Sequence, residues 1–290
     1  TQPQLKEATK QAKLTLIVKG HKKEIPCYVF RYTERAQDIP DFPLGGNTVT
    51  IKKIVDGERI EYEYLPLYCG FDIETTNLIT EERKVAYMYI WQLSINNVVY
   101  YGRTWDEFRI FLENMEHYAP DEKIVHVHNL AFEFQFMKSY FNFKDVVARK
   151  SHHVMQCAMC DFNIIFKCTK YMTNLALKDI PNTYGLNVSK KVGDLDYSLI
   201  RTSITDLTET EYGYCEADCL VLYEYIKKEL KTYEYVYKIP MTATGKVRRE
   251  LKELIRFDWS YKRKVKKAIN IDPHVYNMLV RCFARWFNSC

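Results

Sequence analysis

Apolar positions along the chain change their period several times, and each change marks an element. Residues 1 to about 66 alternate short apolar stretches, Leu14–Val18, Cys27–Phe30, Val49–Ile54 and Ile60–Tyr64, with turn signals such as Phe42-Pro-Leu-Gly-Gly-Asn47. That pattern predicts a small antiparallel β appendage. LPLYCGFDIETT then reads as an apolar strand ending in acids, and VAYMYIWQLSI and VVYYG flank Asn96-Asn97 as a hairpin. Trp105, Phe108, Phe111, Leu112 and Met115 recur at helical spacing behind Thr104, a side chain suited to capping. KIVHVHN is a further strand that leads into a helical AFEFQFMKSYF.

Two more strands are expected between Val146 and Cys168, then a helix around Leu175–Tyr184 and a loop carrying VGDLDY. Thr208-Glu-Thr-Glu211 is a capping box opening a long helix, about Glu209 to Tyr235. Three strands, helix, strand, helix and a late helix predict an α/β fold, a mixed central sheet with flanking helices. The expected organisation is a β-rich appendage over 1–66, a main domain over 67–238, and a basic linker and helix over 239–290.

Composition narrows the class. Hydrophobic residues make up 47% and charged residues 27% of 290 residues, which is ordinary for a soluble globular protein. No apolar run is long enough to span a membrane, and TQPQLKEATKQAK does not read as a signal peptide, so a cytoplasmic chain is expected. Nine cysteines without a framework pattern are expected to be reduced thiols. A start at Thr1 rather than Met suits a processed chain or a fragment. The net charge is +5, but Lys246–Lys267 alone carries a net +7, leaving −2 for the rest. This run is either a solvated helix face or a surface that follows phosphates, the latter suiting its neighbours Trp259 and Tyr261.

Four acids at three places along the chain carry the candidate chemistry. Asp72 and Glu74 end a hydrophobic strand, where residues two apart project to the same face. A chain with 37 acids should contain about one Asp-x-Glu by chance. Asp56-Gly-Glu58 is such a case in a charged turn, whereas Asp72-Ile-Glu74 follows a buried-looking strand and precedes Thr75 and Thr76. Glu133 interrupts the aromatic stretch Phe132, Phe134, Phe136, so it is exposed, paired or metal-bound. Tyr214 and Asp218 are four apart on the late helix and share a face, with Glu216 off it. Four converging carboxylates require cations. Two divalent oxygen-seeking ions about 4 Å apart would make a site for phosphodiester hydrolysis, one activating water and one stabilising the leaving oxygen.

FDIETTN, HNLAFEFQF and YGYCEAD, in that order, resemble the three exonuclease motifs of protein-primed family B DNA polymerases of phages and linear elements. The resemblance runs from about Leu67 to IPMTATGKVRREL, Ile239–Leu251, which is similar to the passage joining exonuclease to polymerase. It implies a ribonuclease H-like exonuclease fold and proofreading hydrolysis of single-stranded DNA 3′ ends with two Mg²⁺ or Mn²⁺. Asp72, Glu74 and Asp218 would be metal ligands, joined by Glu133 where many relatives have Asp, and Tyr214 would position the attacking water. Thr75, Asn129 and Phe132 match positions that hold the frayed strand, although Asn129 also reads as a plain helix cap. VGDLDY resembles a segment preceded by a supporting lysine. Val192 stands at that place here, so Lys191 or Lys190 would have to substitute.

The implied partners are a DNA 3′ end, a polymerase domain and a terminal priming protein, in a host cytoplasm if the source is viral. The polymerase motifs Asp-x-x-Ser-Leu-Tyr-Pro and Asp-Thr-Asp do not occur. Two other readings keep the same residues: a stand-alone RNA exonuclease of this fold, and a non-catalytic module docking the priming protein or a DNA strand. Cys157-Ala-Met-Cys160 with His152, His153 and Cys168 would suit zinc only with a second ligand pair, and buried core cysteines are the reading preferred. The amphipathic HVYNMLVRCFARWF is expected to expose a surface meant for a partner.

Overall fold

The computed structural model describes residues 9–18, 21–30, 49–55, 57–64, 66–79, 84–96, 98–188 and 195–257. The chain divides into two units, Thr1–Ala243 and Thr244–Cys290.

In the first unit, β1 (Thr9–Val18) and β2 (His21–Phe30) form an antiparallel hairpin, and β3 (Val49–Val55) and β4 (Glu58–Tyr64) form another. β5 (Cys69–Ile79), β6 (Lys84–Ile95) and β7 (Val98–Gly102) run as a meander into helix α1 (Trp105–Tyr118). β8 (Lys123–Val127) leads to α2 (Ala131–Met137), followed by β9 (Phe143–Ala148), β10 (Val154–Met159) and β11 (Ile164–Cys168). Then come α3 (Thr169–Thr173), a 3₁₀ turn at Leu177–Asp179, α4 (Ile180–Tyr184) and the long α5 (Glu209–Tyr233). A nine-stranded sheet orders these as β1-β2-β7-β6-β5-β8-β11-β10-β9, and β3–β4 is a separate two-stranded sheet. β5, β8 and β11 are mutually parallel, β6 is antiparallel to both β5 and β7, β10 is antiparallel to both β11 and β9, and β7 is parallel to β2. The sheet is therefore mixed, as expected.

Alternation along β5 and β6 sorts the faces. Phe71, Ile73, Trp91 and Leu93 join Phe108, Phe111 and Leu112 of α1 in the larger core. All five apolar positions read as the inner face of α1 are buried. Gly70, Asp72 and Glu74 alternate with that set and so face the other way, towards α5. Thr104 and Glu107 cap α1 reciprocally, and Thr208 and Glu211 do the same for α5, so both capping expectations hold.

Several expectations are revised. The β1–β2 hairpin continues the main sheet through parallel pairing of β2 with β7, so strand pairing crosses the boundary expected at residue 66. An uncovered β7 would leave a row of backbone donors and acceptors at an edge, and β2 occupies it. Three strands, not two, lie between Phe143 and Cys168, because the turns between them use left-handed His152 and Asn163 instead of glycine or proline. The helix expected at Leu175–Tyr184 is split into a 3₁₀ turn and α4. Pro181, in the first turn of α4, cannot continue a helix from before it. α2 ends at Met137, short of the predicted stretch. Lys191, Lys190, Trp259, Tyr261 and the HVYNMLVRCFARWF segment lie outside the described residues.

In the second unit the described portion is helical, part of α6 (Ala243–Phe257), with Arg249 Nε 3.3 Å from Glu253 one turn on. No helix among the described residues is long and apolar enough to cross a membrane.

Candidate metal centre

Gly70 sets the height at which α5 crosses β5. A Cβ built there would lie 2.9 Å from Leu222 Cβ and 3.0 Å from the Cys219 carbonyl oxygen. Without that atom the helix comes down onto the strand. Asp218, one turn before Leu222, is thereby brought against Asp72 and Glu74. The three residues each offer a carboxylate oxygen, and these oxygens lie within 4.8 Å of one another. Asp72 is half-buried, whereas Glu74 and Asp218 are 8% and 4% exposed. So dense a set of acids, two of them desolvated, favours a cation or a proton. The donors are all hard oxygens, which suits Mg²⁺ or Mn²⁺.

Glu133 lies outside that 4.8 Å set but feels it. It sits in the first turn of α2, is 3% exposed, and its Oε2 has no hydrogen-bond partner. Burial lifts its carboxyl well above the ordinary range; its own backbone N–H opposes this, and the charge of Glu74 adds to it. The reading of an exposed helix position is therefore wrong for Glu133. A buried carboxyl with an orphaned oxygen beside Glu74 is an observation that fits a cation bound nearby.

Tyr214 stands one turn before Asp218 on α5, buried, its hydroxyl 2.9 Å from that of Tyr197. Burial, then Asp218, Glu74 and Asp72, push its phenol up to about 12, against the Tyr197 hydrogen bond, which lowers it. The phenol is thus a neutral donor at ordinary pH. Tyr197 is 66% exposed and ends the VGDLDY segment. Its partnership with Tyr214 has no local signature, since 17 residues separate them. Glu216, read as off the functional face, is nonetheless buried and raises the Cys215 and Cys219 thiols together with burial and the neighbouring acids.

The Tyr197 loop is held by two arginines. Arg201 is buried, 2.5 Å from Glu211, and donates to the Asp196 carbonyl at 2.6 Å. Burial acts against ionised Glu211, but the Thr208 N–H and Arg201 together keep its carboxyl below the usual range. Arg103 donates to the carbonyls of Thr202 and Thr205, both at 2.8 Å, and to that of Tyr89. Thr76, two residues beyond Glu74, accepts from Arg201 N at 3.3 Å and donates to the Leu199 carbonyl at 3.4 Å. This fastens the loop to the strand that carries the acids.

Of the remaining residues singled out in the sequence, Thr75 is half-buried at a bulge, where Glu74 pairs with Ile90 but Thr75 pairs with Met88. The extra residue, Tyr89, joins Ile90 and Tyr214 in a small third core. Phe132 is 41% exposed, its ring 5.1 Å from that of Phe136. Asn129 is not the cap of α2; Leu130 occupies that position. Asn129 is exposed with φ 72°, and its Oδ1 accepts from Lys170 Nζ at 3.4 Å. Cys157 and Cys168 are buried, as preferred, and burial pushes the Cys157 thiol up to about 12. Cys160 is exposed. The acidic trio is the metal-competent cluster found among the described residues, and neither the cysteines nor His152 and His153 are part of it.

A mixed sheet flanked by helices, with acids converging on its central strand β5, which continues past them to Ile79, defines a ribonuclease H-like α/β fold. The solved structures that share it include phi29 DNA polymerase, a protein-primed family B enzyme. In complex with primer-template DNA and incoming nucleotide, that polymerase matches with a TM-score of 0.54 at 17% identity, over 66% of this chain and 35% of its own. In complex with single-stranded DNA the TM-score is 0.51 at 15% identity, over the same shares. The likeness is one of fold, and this chain spans about a third of the polymerase. No protein-family model matches the chain, and no curated protein matches it.

Proposed function

We propose that this chain is a metal-dependent 3′–5′ exonuclease domain that hydrolyses the 3′ end of single-stranded DNA, the proofreading part of a protein-primed DNA polymerase. The convergence of Asp72, Glu74 and Asp218 within 4.8 Å carries the reading, with buried Glu133 repelled by Glu74 beside it. The motif order and the fold likeness to phi29 DNA polymerase support DNA as the substrate.

In this reading Asp72, Glu74 and Asp218 would hold two Mg²⁺ or Mn²⁺ ions, with Glu133 as the fourth acid. When bound, such ions would supply a nucleophile at neutral pH and charge neutralisation at the leaving oxygen. Tyr214, kept protonated, donates to the attacking water and fixes its direction. The exposed Phe132 ring stacks on the terminal base, while Thr75 and Asn129 hold its sugar and phosphate. Water adds to phosphorus, the bond to the 3′ oxygen breaks, and that oxygen takes a proton. A nucleoside 5′-monophosphate leaves, and the shortened strand keeps a 3′ hydroxyl. The 239–290 segment is proposed as the link to a polymerase domain.

A 5′-labelled single-stranded DNA oligomer, incubated with Mn²⁺ or Mg²⁺, should give a ladder shortening from the 3′ end. EDTA and the Asp72→Ala/Glu74→Ala variant should each abolish it. Preference for a matched RNA oligomer would replace DNA by RNA as substrate. A folded protein that gives no metal-dependent ladder would leave a docking module.

A further inference from the structure

Away from the acidic cluster, a second group of side chains converges with no role in the proposed chemistry. The turn joining β9 to β10 carries Arg149, Lys150, His152 and His153. It is closed by Arg149 N–H to the His153 carbonyl and His153 N–H to the Lys150 carbonyl, both at 3.1 Å. His153 Nδ1 lies 3.0 Å from the hydroxyl of Tyr171 on α3, and the preceding Lys170 reaches Asn129 at 3.4 Å. Two separate elements, the turn and α3, thus bring their cations to one surface, with Asn129 of the β8–α2 junction beside them. Among the described residues, Arg149, Lys150 and Lys170 make no ion pair. Besides its burial, the His153 ring feels Lys150, Lys170, Arg149 and His152, and all of them hold its pKa down.

The strand register fixes where this surface lies. Phe71 pairs with Val127, Val127 with Cys168, and Ala148 with Val154, all at one end of the sheet. Asp72, Asn129, Lys170, His153 and Arg149 each stand one or two residues beyond that row. They follow the strand order β5-β8-β11-β10-β9. Four strand spacings of about 4.8 Å separate the acids from Arg149, roughly 19 Å. A stacked strand covers that distance with about six phosphates. Like charges gathered at one surface repel one another, and a polyanion crossing them removes the repulsion.

We infer that Arg149, Lys150 and Lys170, with His152 and His153 beside them, form a phosphate-binding track for the single strand upstream of its 3′ end. It leads by way of Asn129 to the acidic cluster. The inference rests on the proposed exonuclease reading for the direction of the strand. The track contacts backbone, so it is indifferent to base sequence and matters only for strands long enough to reach it.

The test is binding of a fluorescent single-stranded DNA 12-mer in EDTA, where no hydrolysis interferes, followed over a range of salt. The Arg149→Ala/Lys150→Ala/Lys170→Ala protein should show a log–log salt slope shallower than wild type by about 2. A control with equal charge loss on exposed positions elsewhere, Lys178→Ala/Lys227→Ala/Lys231→Ala, should keep the wild-type slope. With Mn²⁺, an Arg149→Ala/Lys150→Ala protein, which leaves the Lys170–Asn129 contact in place, should hydrolyse a dinucleotide at the wild-type rate and show a raised KM for the 12-mer. The altered residues are exposed, and a melting curve checks that the fold survives. An unchanged slope in the track variant, or an equal change in the control, overturns the track even if the protein degrades DNA. A track-dependent slope in a protein that leaves the strand intact supports the track and removes the exonuclease reading alone.

Discussion

Gly70 lies beneath Leu222, and there is no room between them for a methyl group. The strand bearing Asp72 and Glu74 and the helix bearing Asp218 meet at this point, so the spacing of the acids depends on a residue that carries no chemistry. Gly70→Ala should push α5 outward, cost about 1–3 kcal/mol by urea unfolding, and weaken Mn²⁺ binding in calorimetry. Unchanged metal affinity would mean that the helix height does not set the cluster.

The Tyr197–Tyr214 contact makes a second prediction. Tyr214→Phe removes the donor aimed at the cluster and should lower kcat by about 10²-fold with KM little changed. Tyr197→Phe keeps that donor but releases its position, so it should fall between wild type and Tyr214→Phe. Steady-state kinetics of the three proteins checks the order, and a Tyr197→Phe enzyme with wild-type kcat would make the contact incidental.

What the sequence made legible was local. Period-2 alternation placed Asp72 and Glu74 on one face, and the cap at Thr104 and the capping box at Thr208 marked where α1 and α5 begin. What it hid depends on through-space packing. Nothing near Gly70 announces that a helix 150 residues away rests on it, and nothing in VGDLDY announces Tyr214. Burial of Glu133 requires knowing what covers α2. The left-handed turns at His152 and Asn163 lack glycine, so the three strands β9 to β11 carried too little punctuation to separate.

Repulsion within the acidic cluster predicts opposite effects on stability with and without metal. In EDTA, Asp218→Asn removes one desolvated like charge and should stabilise the fold by about 0.5–2 kcal/mol. Wild type should gain about 2.7 kcal/mol when Mn²⁺ is at 100 times its Kd, and Asp218→Asn should lose most of that gain. Thermal melting with and without Mn²⁺ checks both. A variant less stable than wild type in EDTA, yet still shifted fully by Mn²⁺, would place the ion elsewhere.

His126, fully buried on β8 and paired in register with Gly70, predicts a pH dependence of its own. Burial, with Lys167 adding to it, lowers its pKa from 6.5 to about 3, while the nearby Cys69 backbone acts the other way. The folded state therefore holds the ring neutral, whereas the unfolded chain protonates it below about 6.5. Stability from this group is complete above that pH and is lost as pH falls from 6.5 towards 3, at about 1.4 kcal/mol per unit. Between pH 7 and pH 5 the loss should be about 2 kcal/mol. Glu133, whose carboxyl is raised, contributes with the opposite sign, so the comparison must be made against His126→Gln, in which only the histidine's share is gone. Urea unfolding at the two pH values should show a drop steeper in wild type than in the variant by that amount. Parallel slopes would mean that the ring is protonated, or already solvated, in the folded protein.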